Sequence, residues 1–423
     1  MKLLTRPTDI KTEILAGATT FLAMAYILFV HPEMLANTGM DKDALIAVTC
    51  IAAAIGTILV GLFADSPIAM APGMGLNSYF TYSVVLGEKV PWPTALGIVF
   101  ISGLVFFLLT AVGIRKKLVE AIPKSLIFGI AVGIGMFITF MGLVDIGVIV
   151  KNDATLVSAG ALTGPVLIGL TVLMIMVILQ QLKIRGSLII GIFVGTILAL
   201  VCGYVKPPAE FVSLDIDLSP IAFQLDILGA LKGSLFGTIF AMMFIDMFDS
   251  IGTVIACCHK AGLVDKDGHI RRIDRLLGID ALATMIGAAL GTSTTTAYIE
   301  SGAGIEQGGR TGLTAIVTGA LFLLSLAFIP VIGMVPKFAT GPALVMVGLF
   351  MMAEVVKIDF KKLDEAFPAF VIIVMIALSY SISRGLAFGF IAYVMLKVVS
   401  RRFSDIKPAM WLIALLSILF FVV

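Results

Sequence analysis

Residues 292–310 of the chain read TSTTTAYIESGAGIEQGGR and lie between two strongly apolar segments. Their position predicts that they lie at membrane depth, yet they include Glu300, Glu306, four threonines and four glycines. Carboxylates and irregular backbone are tolerated inside a bilayer only where they face protein or a water-filled cavity. This stretch is therefore the first candidate for a functional site, and Glu300 is its strongest single residue.

A weaker copy of this pattern occurs in the first half of the chain, where residues 66–77 read SPIAMAPGMGLN. The copies align as Gly73-Met-Gly75-Leu-Asn77 against Gly302-Ala-Gly304-Ile-Glu306. Two apolar segments interrupted by Gly or Pro at matching places in two halves are the best sequence indication of a transporter's binding site. Asn77 either faces that site or satisfies backbone groups freed by the break.

The composition defines the class of protein. Of 423 residues, 60% are hydrophobic and 13% are charged, against about 25% charged in a soluble domain. The chain is predicted to be an all-α polytopic membrane protein. An apolar run from Ile14 to His31 follows Lys2, Arg6 and Lys11, which is typical of a spanning helix rather than a cleaved signal.

Other classes of function find little support in the sequence. It has no zinc-ligand spacing, no basic stretch with interleaved aromatics and no phosphate-binding loop, so neither nucleic acid, a metal, a cofactor nor ATP is expected. The four cysteines are interpreted as small buried hydrophobes rather than a disulfide framework. His31, His259 and His269 are predicted to lie in loops and do not cluster.

Apolar runs long enough to cross a bilayer divide the chain into two similar halves. The predicted spans cover 13–31, 44–63, 66–86, 94–114, 122–143, 164–182 and 187–205, then 228–258, 276–290, 292–308, 312–333, 340–357, 365–382 and 386–400. A last apolar run, 409–423, is either a fifteenth short helix or the second half of the fourteenth.

Basic residues mark the side of the membrane on which each loop lies, because cytoplasmic loops are rich in Lys and Arg. They cluster in alternate loops, and this pattern predicts a cytoplasmic N-terminus. The basic loops cover 115–124, 183–185, 260–275, 310, 357–362 and 397–402. Arg384 is the main exception, since this scheme places it outside the cell.

The two halves are predicted to be inverted repeats, because seven spans in each half turn the second copy upside down. Residues 1–205 form the first repeat, 206–227 an extracytoplasmic linker and 228–423 the second repeat. Ile55-Gly56 recurs as Ile286-Gly287, and Arg185-Gly186 recurs as Arg384-Gly385.

A second polar group occurs in the first span of the second half. Asp246 and Asp249 are three residues apart and share one helix face with Ser250 and Thr253. A carboxylate at the bilayer centre costs at least about 2.5–3.5 kcal/mol. The two aspartates therefore indicate a polar cavity, a cation or a proton; the alternative is that they brace neighbouring helices.

With these motifs identified, the chain resembles the second family of nucleobase–cation symporters, within the nucleobase–ascorbate transporter superfamily, and in particular its AzgA-like purine permeases. The resemblance covers essentially the whole chain. Its most specific parts are residues 71–80 (APGMGLNSYF), 244–253 (FIDMFDSIGT) and 294–301 (TTTAYIES), followed by 308–312 (GGRTG). Asp249 and the sequence after Glu300 differ from the uracil and xanthine branches, which have Glu and an Asn-x-Gly signature there.

The resemblance implies about fourteen helices with short strands in broken helices 3 and 10. It also implies a core domain (13–114 and 228–333) that moves against a gate domain (122–205 and 340–423). The base would lie between helices 3, 8 and 10. By position in their motifs, Asp249 and Glu300 would contact the base; the other candidate substrate-binding residues are Asn77, Phe248, Thr296, Ala297 and Ser301.

We therefore expect a transporter of the cell membrane, not an enzyme, that takes up a purine base such as adenine, guanine, hypoxanthine or xanthine with a proton. Candidate proton-coupling residues are Asp246, Asp249, Glu300 and Glu306. The alternatives are coupling to sodium, uracil transport, an anion transporter on the same fold, a channel and an intramembrane enzyme. The sequence does not decide whether the chain forms a homodimer.

Overall fold

Long apolar helices account for most of the computed structural model, which describes residues 9–113, 122–213, 216–263, 270 and 272–422. Parts of the predicted basic loops at 115–124 and 260–275 lie outside these residues, as do Lys2, Arg6 and His269. In the first half the helices and strands are α1 (Ile10–Met24), α2 (Ile27–Ala36), α3 (Lys42–Leu59), β1 (Met70–Pro72), α4 (Met74–Ser78), α5 (Trp92–Ala111), α6 (Lys124–Ile146), β2 (Ile149–Asn152), β3 (Leu156–Ala159), α7 (Gly164–Gln181) and α8 (Ser187–Val201).

In the described part of the second half, one strand again lies between helices. The helices and strand of this half are α9 (Ile227–Ala230), α10 (Phe236–Lys260), α11 (Ile273–Leu290), β4 (Thr295–Ala297), α12 (Ser301–Glu306), α13 (Gly312–Leu324), α14 (Ile329–Gly333), α15 (Lys337–Met352), α16 (Leu363–Ser379), α17 (Ile382–Val399) and α18 (Pro408–Val422). Wider π-helical turns extend α3 over Val60–Ala64 and α4 over Tyr79–Gly87.

The membrane class and the broken helices are confirmed. Among the described residues, nine helical segments are long and apolar enough to cross a bilayer. β1 interrupts the third predicted span and β4 the tenth. The last apolar run forms the separate helix α18, which follows a short 3₁₀ turn at Phe403–Asp405.

Three local features differ from the sequence prediction. The first span bends between α1 and α2 and continues to Ala36, so His31 lies within a helix and is fully buried, not in a loop. His259, also predicted in a loop, lies in the last turn of α10. A β-hairpin, β2–β3, connects α6 to α7. In its turn the side chain of Asn152 accepts hydrogen bonds from the backbone N–H groups of Ala154 and Thr155, an Asx turn that ends one strand and starts the next.

The helices pack into two groups. The strand bundle contains α1–α5 and α9–α14 together with β1 and β4, and the flanking bundle contains α6–α8 and α15–α18. Within the strand bundle, α3 packs on α13 and α5 on α11; within the flanking bundle, α6 packs on α15 and α16. Strands β1 and β4 thus lie inside the strand bundle, and the flanking bundle packs against its side.

A buried carboxylate fixes the loop behind the second broken helix. Glu13 of α1 is fully buried. It accepts hydrogen bonds from the backbone N–H groups of Arg310 at 3.0 Å and Thr311 at 3.3 Å, and from the Thr314 hydroxyl. These groups lie at the start of α13, where backbone N–H groups lack partners within the helix. The GGRTG motif therefore connects α12 to α13 and packs on α1.

Candidate functional site

The site is built around two short strands that cross in the middle of the strand bundle. β1 and β4 pair antiparallel, with Met70 opposite Ala297, Ala71 opposite Thr296 and Pro72 opposite Thr295. The pairing is continued by a backbone hydrogen bond from Gly73 to Thr294 at 3.1 Å and another from Tyr298 to Ala69 at 3.0 Å. The backbone N–H and C=O groups freed by one interruption thus bond to those freed by the other, as buried polar backbone requires. We call this pair the strand crossing.

Asp249 lies beside the strand crossing at the point where β1 leads into α4. A Cβ atom added to Gly73 would lie 2.7 Å from Cγ2 of Thr296 and 3.8 Å from Oδ2 of Asp249. Glycine at this position therefore allows the two interrupted segments and α10 to approach each other closely. A larger residue at position 73 would fill the space between the strand crossing and the carboxylate.

Glu300 follows β4, at the N-cap position of α12. Its Oε1 accepts a hydrogen bond of 2.8 Å from the hydroxyl of Tyr26, which lies at the bend between α1 and α2. The carboxylates of Glu300 and Asp249 are close enough to interact electrostatically. The structure thus brings together the two residues that the sequence singled out most strongly.

A further pair of carboxylates lies behind Asp249. Asp246 is fully buried and accepts a hydrogen bond of 3.3 Å from Thr284 through Oδ2, whereas its Oδ1 has no partner among the described residues. Asp280 of α11, also fully buried, is near enough to interact electrostatically with Asp246. Asp280 accepts hydrogen bonds from the backbone N–H of Ala297 at 3.0 Å and from the hydroxyl of Ser250.

Asp280 was missed by the sequence analysis, although it connects α11 to the strand crossing. Ser250 links it further to Thr296, with 2.7 Å between the two hydroxyl oxygens. The signal was present: Asp280 is a carboxylate within the predicted span 276–290, which is a functional hypothesis by default in a membrane helix.

Most of the other predicted substrate-binding residues already have protein partners. Asn77 is fully buried, donates to the carbonyl of Pro72 at 3.4 Å and accepts from the Ser293 hydroxyl. The hydroxyl of Ser301 accepts from the backbone N–H of Ala69 at 3.0 Å. These contacts show Asn77 satisfying a backbone group at the break, one of the two interpretations left open by the sequence.

Aromatic and histidine side chains complete the surroundings of the strand crossing. Phe248 packs on Phe244, with 4.6 Å between ring centroids. The buried Tyr298 donates to the carbonyl of Pro72. His31 is hydrogen-bonded through Nε2 to the hydroxyl of Thr292 at 2.7 Å. Tyr26 and His31 were not predicted as site residues, because a polar aromatic in an apolar helix gives no distinctive pattern. Tyr298 belongs to the 294–301 motif but was given no role.

Glu306 is not brought together with the other carboxylates. Its side chain is 58% exposed and forms an ion pair of 2.6 Å with Lys260 at the end of α10. It lies six positions after Glu300, at the other end of α12.

One face of α10 connects Asp249 to that ion pair. Asp249, Gly252, Ala256 and Lys260 are exposed and follow each other at helical spacing, whereas residues 241–248 of the same helix are buried. A Cβ atom added to Gly252 would have open space around it. Because a carboxylate at depth must face protein or water rather than lipid, we interpret this face as the wall of a water-filled vestibule that ends at Lys260.

The opposite end of the protein is closed by contacts between the two bundles. We call it the Glu33 end. Lys337 of α15 forms an ion pair of 3.4 Å with Glu33 and donates to Oδ1 of Asn37 at 2.8 Å. The hydroxyl of Ser83 donates to the carbonyl of Tyr380 at 2.7 Å. These contacts join the two bundles at the Glu33 end, whereas the exposed face of α10 leads from Asp249 to the Lys260 end.

Two interrupted spans meet at the strand crossing, beside buried carboxylates and a vestibule. This combination is typical of a polytopic membrane transporter. The permease family model matches residues 11–388, and the chain belongs to that family, the second family of nucleobase–cation symporters. The chain is 42% identical to the adenine permease AdeP of Escherichia coli (strain K12), covering 99% of this chain and 94% of that protein. It is 40% identical to the guanine/hypoxanthine permease PbuG of Bacillus subtilis (strain 168), covering 98% and 97%.

The fold is similar to that of solved transporters with little sequence identity. The transmembrane domain of the cyanobacterial bicarbonate transporter BicA superimposes with a TM-score of 0.66 at 15% identity, covering 89% of this chain and 98% of that one. The predicted family and fold are thereby confirmed. The relatives are named permeases, which confirms a transporter rather than an enzyme.

Proposed function

We propose that this chain takes up a purine nucleobase across the cell membrane, in symport with a proton and by alternating access. The observation that carries the proposal is the strand crossing, which holds Asp249 and Glu300 near each other at the end of a vestibule. The substrate class rests on relatives named for adenine and for guanine and hypoxanthine that align over nearly the whole chain.

In this proposal the base contacts Asp249 and Glu300, which can accept hydrogen bonds from ring and exocyclic N–H groups. Phe248 offers an aromatic surface for a flat ring. Asn77, Ala297 and Ser301 already bond within the protein, and Thr296 bonds to Ser250. We therefore assign these four residues to the support of the strand crossing rather than to direct recognition through their side chains.

The clustering of carboxylates at the strand crossing also provides a reason for coupling to a cation. Asp246, Asp249, Asp280 and Glu300 lie within electrostatic range of one another in pairs. Mutual repulsion in a medium of low dielectric is relieved when a proton or a metal cation enters. Bringing one positive charge inward gains about 2.3 kcal/mol per 100 mV, which a neutral base alone cannot use.

We assign proton coupling to Asp246, Asp249 and Glu300. Glu306, the fourth candidate from the sequence, is the weakest, because its carboxylate is exposed and neutralised by Lys260. Sodium is the alternative coupling ion.

Alternating access requires two bodies that move relative to each other. We propose that the strand bundle is the core domain, the flanking bundle is the gate domain, and their contacts at the Glu33 end open during the cycle. If the N-terminus is cytoplasmic, the vestibule faces the cytoplasm and the structure is an inward-open state. The helices of both bundles would then span the cell membrane with the linker 206–227 outside.

An anion transporter is the second candidate, because BicA, named for bicarbonate, has the same fold. A fold does not by itself define a substrate. Carboxylates beside the strand crossing repel an anion and favour a neutral ligand or a cation, so the site of this chain supports the purine better.

The substrate is tested by competition. Purified protein in liposomes takes up radiolabelled adenine, guanine and hypoxanthine in turn, with each unlabelled purine, xanthine, uracil and bicarbonate added in excess. We expect purines to compete with purines, while bicarbonate leaves uptake unchanged. Competition by bicarbonate without competition by any purine would contradict the proposal.

A further inference from the structure

An apolar cavity lies apart from the strand crossing, between the two bundles. It has a volume of about 420 Å³, within the range of about 300–1,000 Å³ typical of sites for small ligands. Its walls come from α10 of the strand bundle and from α17 and α18 of the flanking bundle, and include Phe240, Phe244, Leu386, Ala387, Phe390 and Leu416. We call it the α10–α17–α18 cavity.

The apolar lining makes this cavity a poor site for a purine. Most of it is aromatic and aliphatic, and two of its hydroxyls are already engaged: Ser417 donates to the carbonyl of Ile413 at 2.8 Å, and Ser383 bonds to Ser381 at 3.1 Å. A nucleobase would lose its hydrogen bonds to water without replacing them. An acyl chain has no hydrogen bonds to lose on entering, and its methylene groups contact the apolar walls.

The cavity lies where a lipid chain can reach it. One wall begins at Gly233, in the 3₁₀ turn that precedes α10, and the α17 wall begins at Ser383; both lead from the Glu33 end toward the middle of the protein. Phe236, which is also part of the lining, is 60% exposed. In a bilayer this exposed edge is surrounded by acyl chains of one leaflet.

Two cationic residues are neighbours of lining residues in the sequence, and their positive charges complement the phosphate of a phospholipid headgroup. Lys232 precedes Gly233 and Arg384 follows Ser383, and both are exposed. Lys232 interacts electrostatically with Asp226, and Arg384 with Glu88, so a phosphate bound here would share each cation with a carboxylate. Lysine and arginine at the membrane surface attract anionic lipids, and Arg384 is the residue that the positive-inside pattern left unexplained.

We propose that the α10–α17–α18 cavity binds one acyl chain of an anionic membrane phospholipid, whose phosphate is held by Lys232 and Arg384. The bound chain contacts both bundles at once. It also packs against Phe244, whose other neighbour is Phe248 beside the strand crossing. Lipid binding here does not depend on which solute the protein transports.

The test is native mass spectrometry of the purified, delipidated protein after incubation with phosphatidylglycerol, phosphatidylcholine or an equal mixture. We expect the wild type to retain one phospholipid and to prefer phosphatidylglycerol. Ala387→Phe fills the cavity from α17, Leu416→Trp fills it from α18, and each is expected to lower the retained fraction several-fold. Met395→Phe is the matched control, because residue 395 lies on α17 but faces outward with 60% exposure.

A double variant, Lys232→Gln with Arg384→Gln, tests the headgroup contact. It is expected to bind the two lipids equally. Folding of each filling variant is judged by elution as a single species. If one of them does not fold, the other still tests whether the cavity holds the lipid. Retention by both filling variants at the wild-type level would contradict the proposal. So would displacement of the lipid by adenine or guanine, which would make the cavity part of the purine path.

Discussion

The hydroxyl of Tyr26 donates a hydrogen bond of 2.8 Å to the carboxylate of Glu300. The two residues are 274 positions apart and come from different halves of the chain. Tyr26 lies at the bend between α1 and α2, and Glu300 at the start of α12. The bend in the first span and the break in the tenth are therefore held together at the carboxylate that we assign to purine binding.

Tyr26→Phe removes this donor and leaves the ring in place. A hydrogen bond to a charged group contributes about 1.5–3 kcal/mol, so we expect the apparent affinity for purine to fall by about tenfold or more. The measurement is the concentration dependence of purine uptake. Tyr204→Phe serves as the control, since Tyr204 is about half exposed, on the flanking bundle. Unchanged affinity in Tyr26→Phe would remove this bond from the mechanism.

Asp280→Asn tests the carboxylate that sequence analysis missed. An amide side chain can keep only part of the bonding with the Ala297 N–H and the Ser250 hydroxyl, and it cannot carry a negative charge. We expect protein that still inserts in the membrane but transports far more slowly. Asp274→Asn, at the first turn of the same helix, is the comparison. Equal rates for the two variants would mean that Asp280 has no special part in transport.

Cysteine labelling tests the vestibule. In a Cys202→Ser background, which lacks the one exposed cysteine among the described residues, Gly252→Cys should react with a membrane-impermeant maleimide and purine should slow the reaction. Thr238→Cys, buried in the other half of α10, should react much more slowly. Labelling at position 252 only in inside-out vesicles would support a cytoplasmic vestibule. Faster labelling at position 238 would contradict the assigned open end.

Lys337→Gln tests the closed end. Lys337 bridges the bundles to Glu33 and Asn37, whereas Lys42 pairs with the same Glu33 at 2.5 Å from within the strand bundle. Partly exposed ion pairs contribute about 1 kcal/mol or less, so losing the bridge should shift the population toward opening at the Glu33 end by a few-fold. Maleimide labelling of the Gly252→Cys variant should slow accordingly. Lys42→Gln is the control, and an equal effect of both substitutions would rule out a bridging role.

The sequence was sufficient to predict the fold, because each span is a long apolar run and the two interruptions carry Gly, Pro and carboxylates that a lipid-facing helix would exclude. The short strands were expected from the family resemblance, and their pairing was not predicted, although broken backbone at depth needs a partner. The hairpin β2–β3 was not predicted, because its short strands are largely exposed and have no apolar pattern.

The site was predicted less completely than the fold. Asp249 and Glu300 stand in distinctive motifs, whereas Asp280 and Tyr26 reach the strand crossing only through packing of distant helices. Glu306 aligned with Asn77 in the internal repeat, yet one is exposed and the other buried. Repeat symmetry places backbone at equivalent positions, but the surroundings of each side chain depend on which helices cover it.

The central claim is that Asp249 and Glu300 bind the purine and couple its uptake to protons. The most direct measurement is radiolabelled purine uptake into proteoliposomes under an imposed pH gradient without sodium, for the wild type, Asp249→Asn, Glu300→Gln and Glu306→Gln. We predict accumulation by the wild type, and uptake at the level of protein-free liposomes for Asp249→Asn and Glu300→Gln. Glu306→Gln should stay within about twofold of wild type, since an exposed ion pair contributes little. Wild-type uptake by Asp249→Asn or Glu300→Gln, or uptake that follows a sodium gradient and ignores pH, would contradict the account.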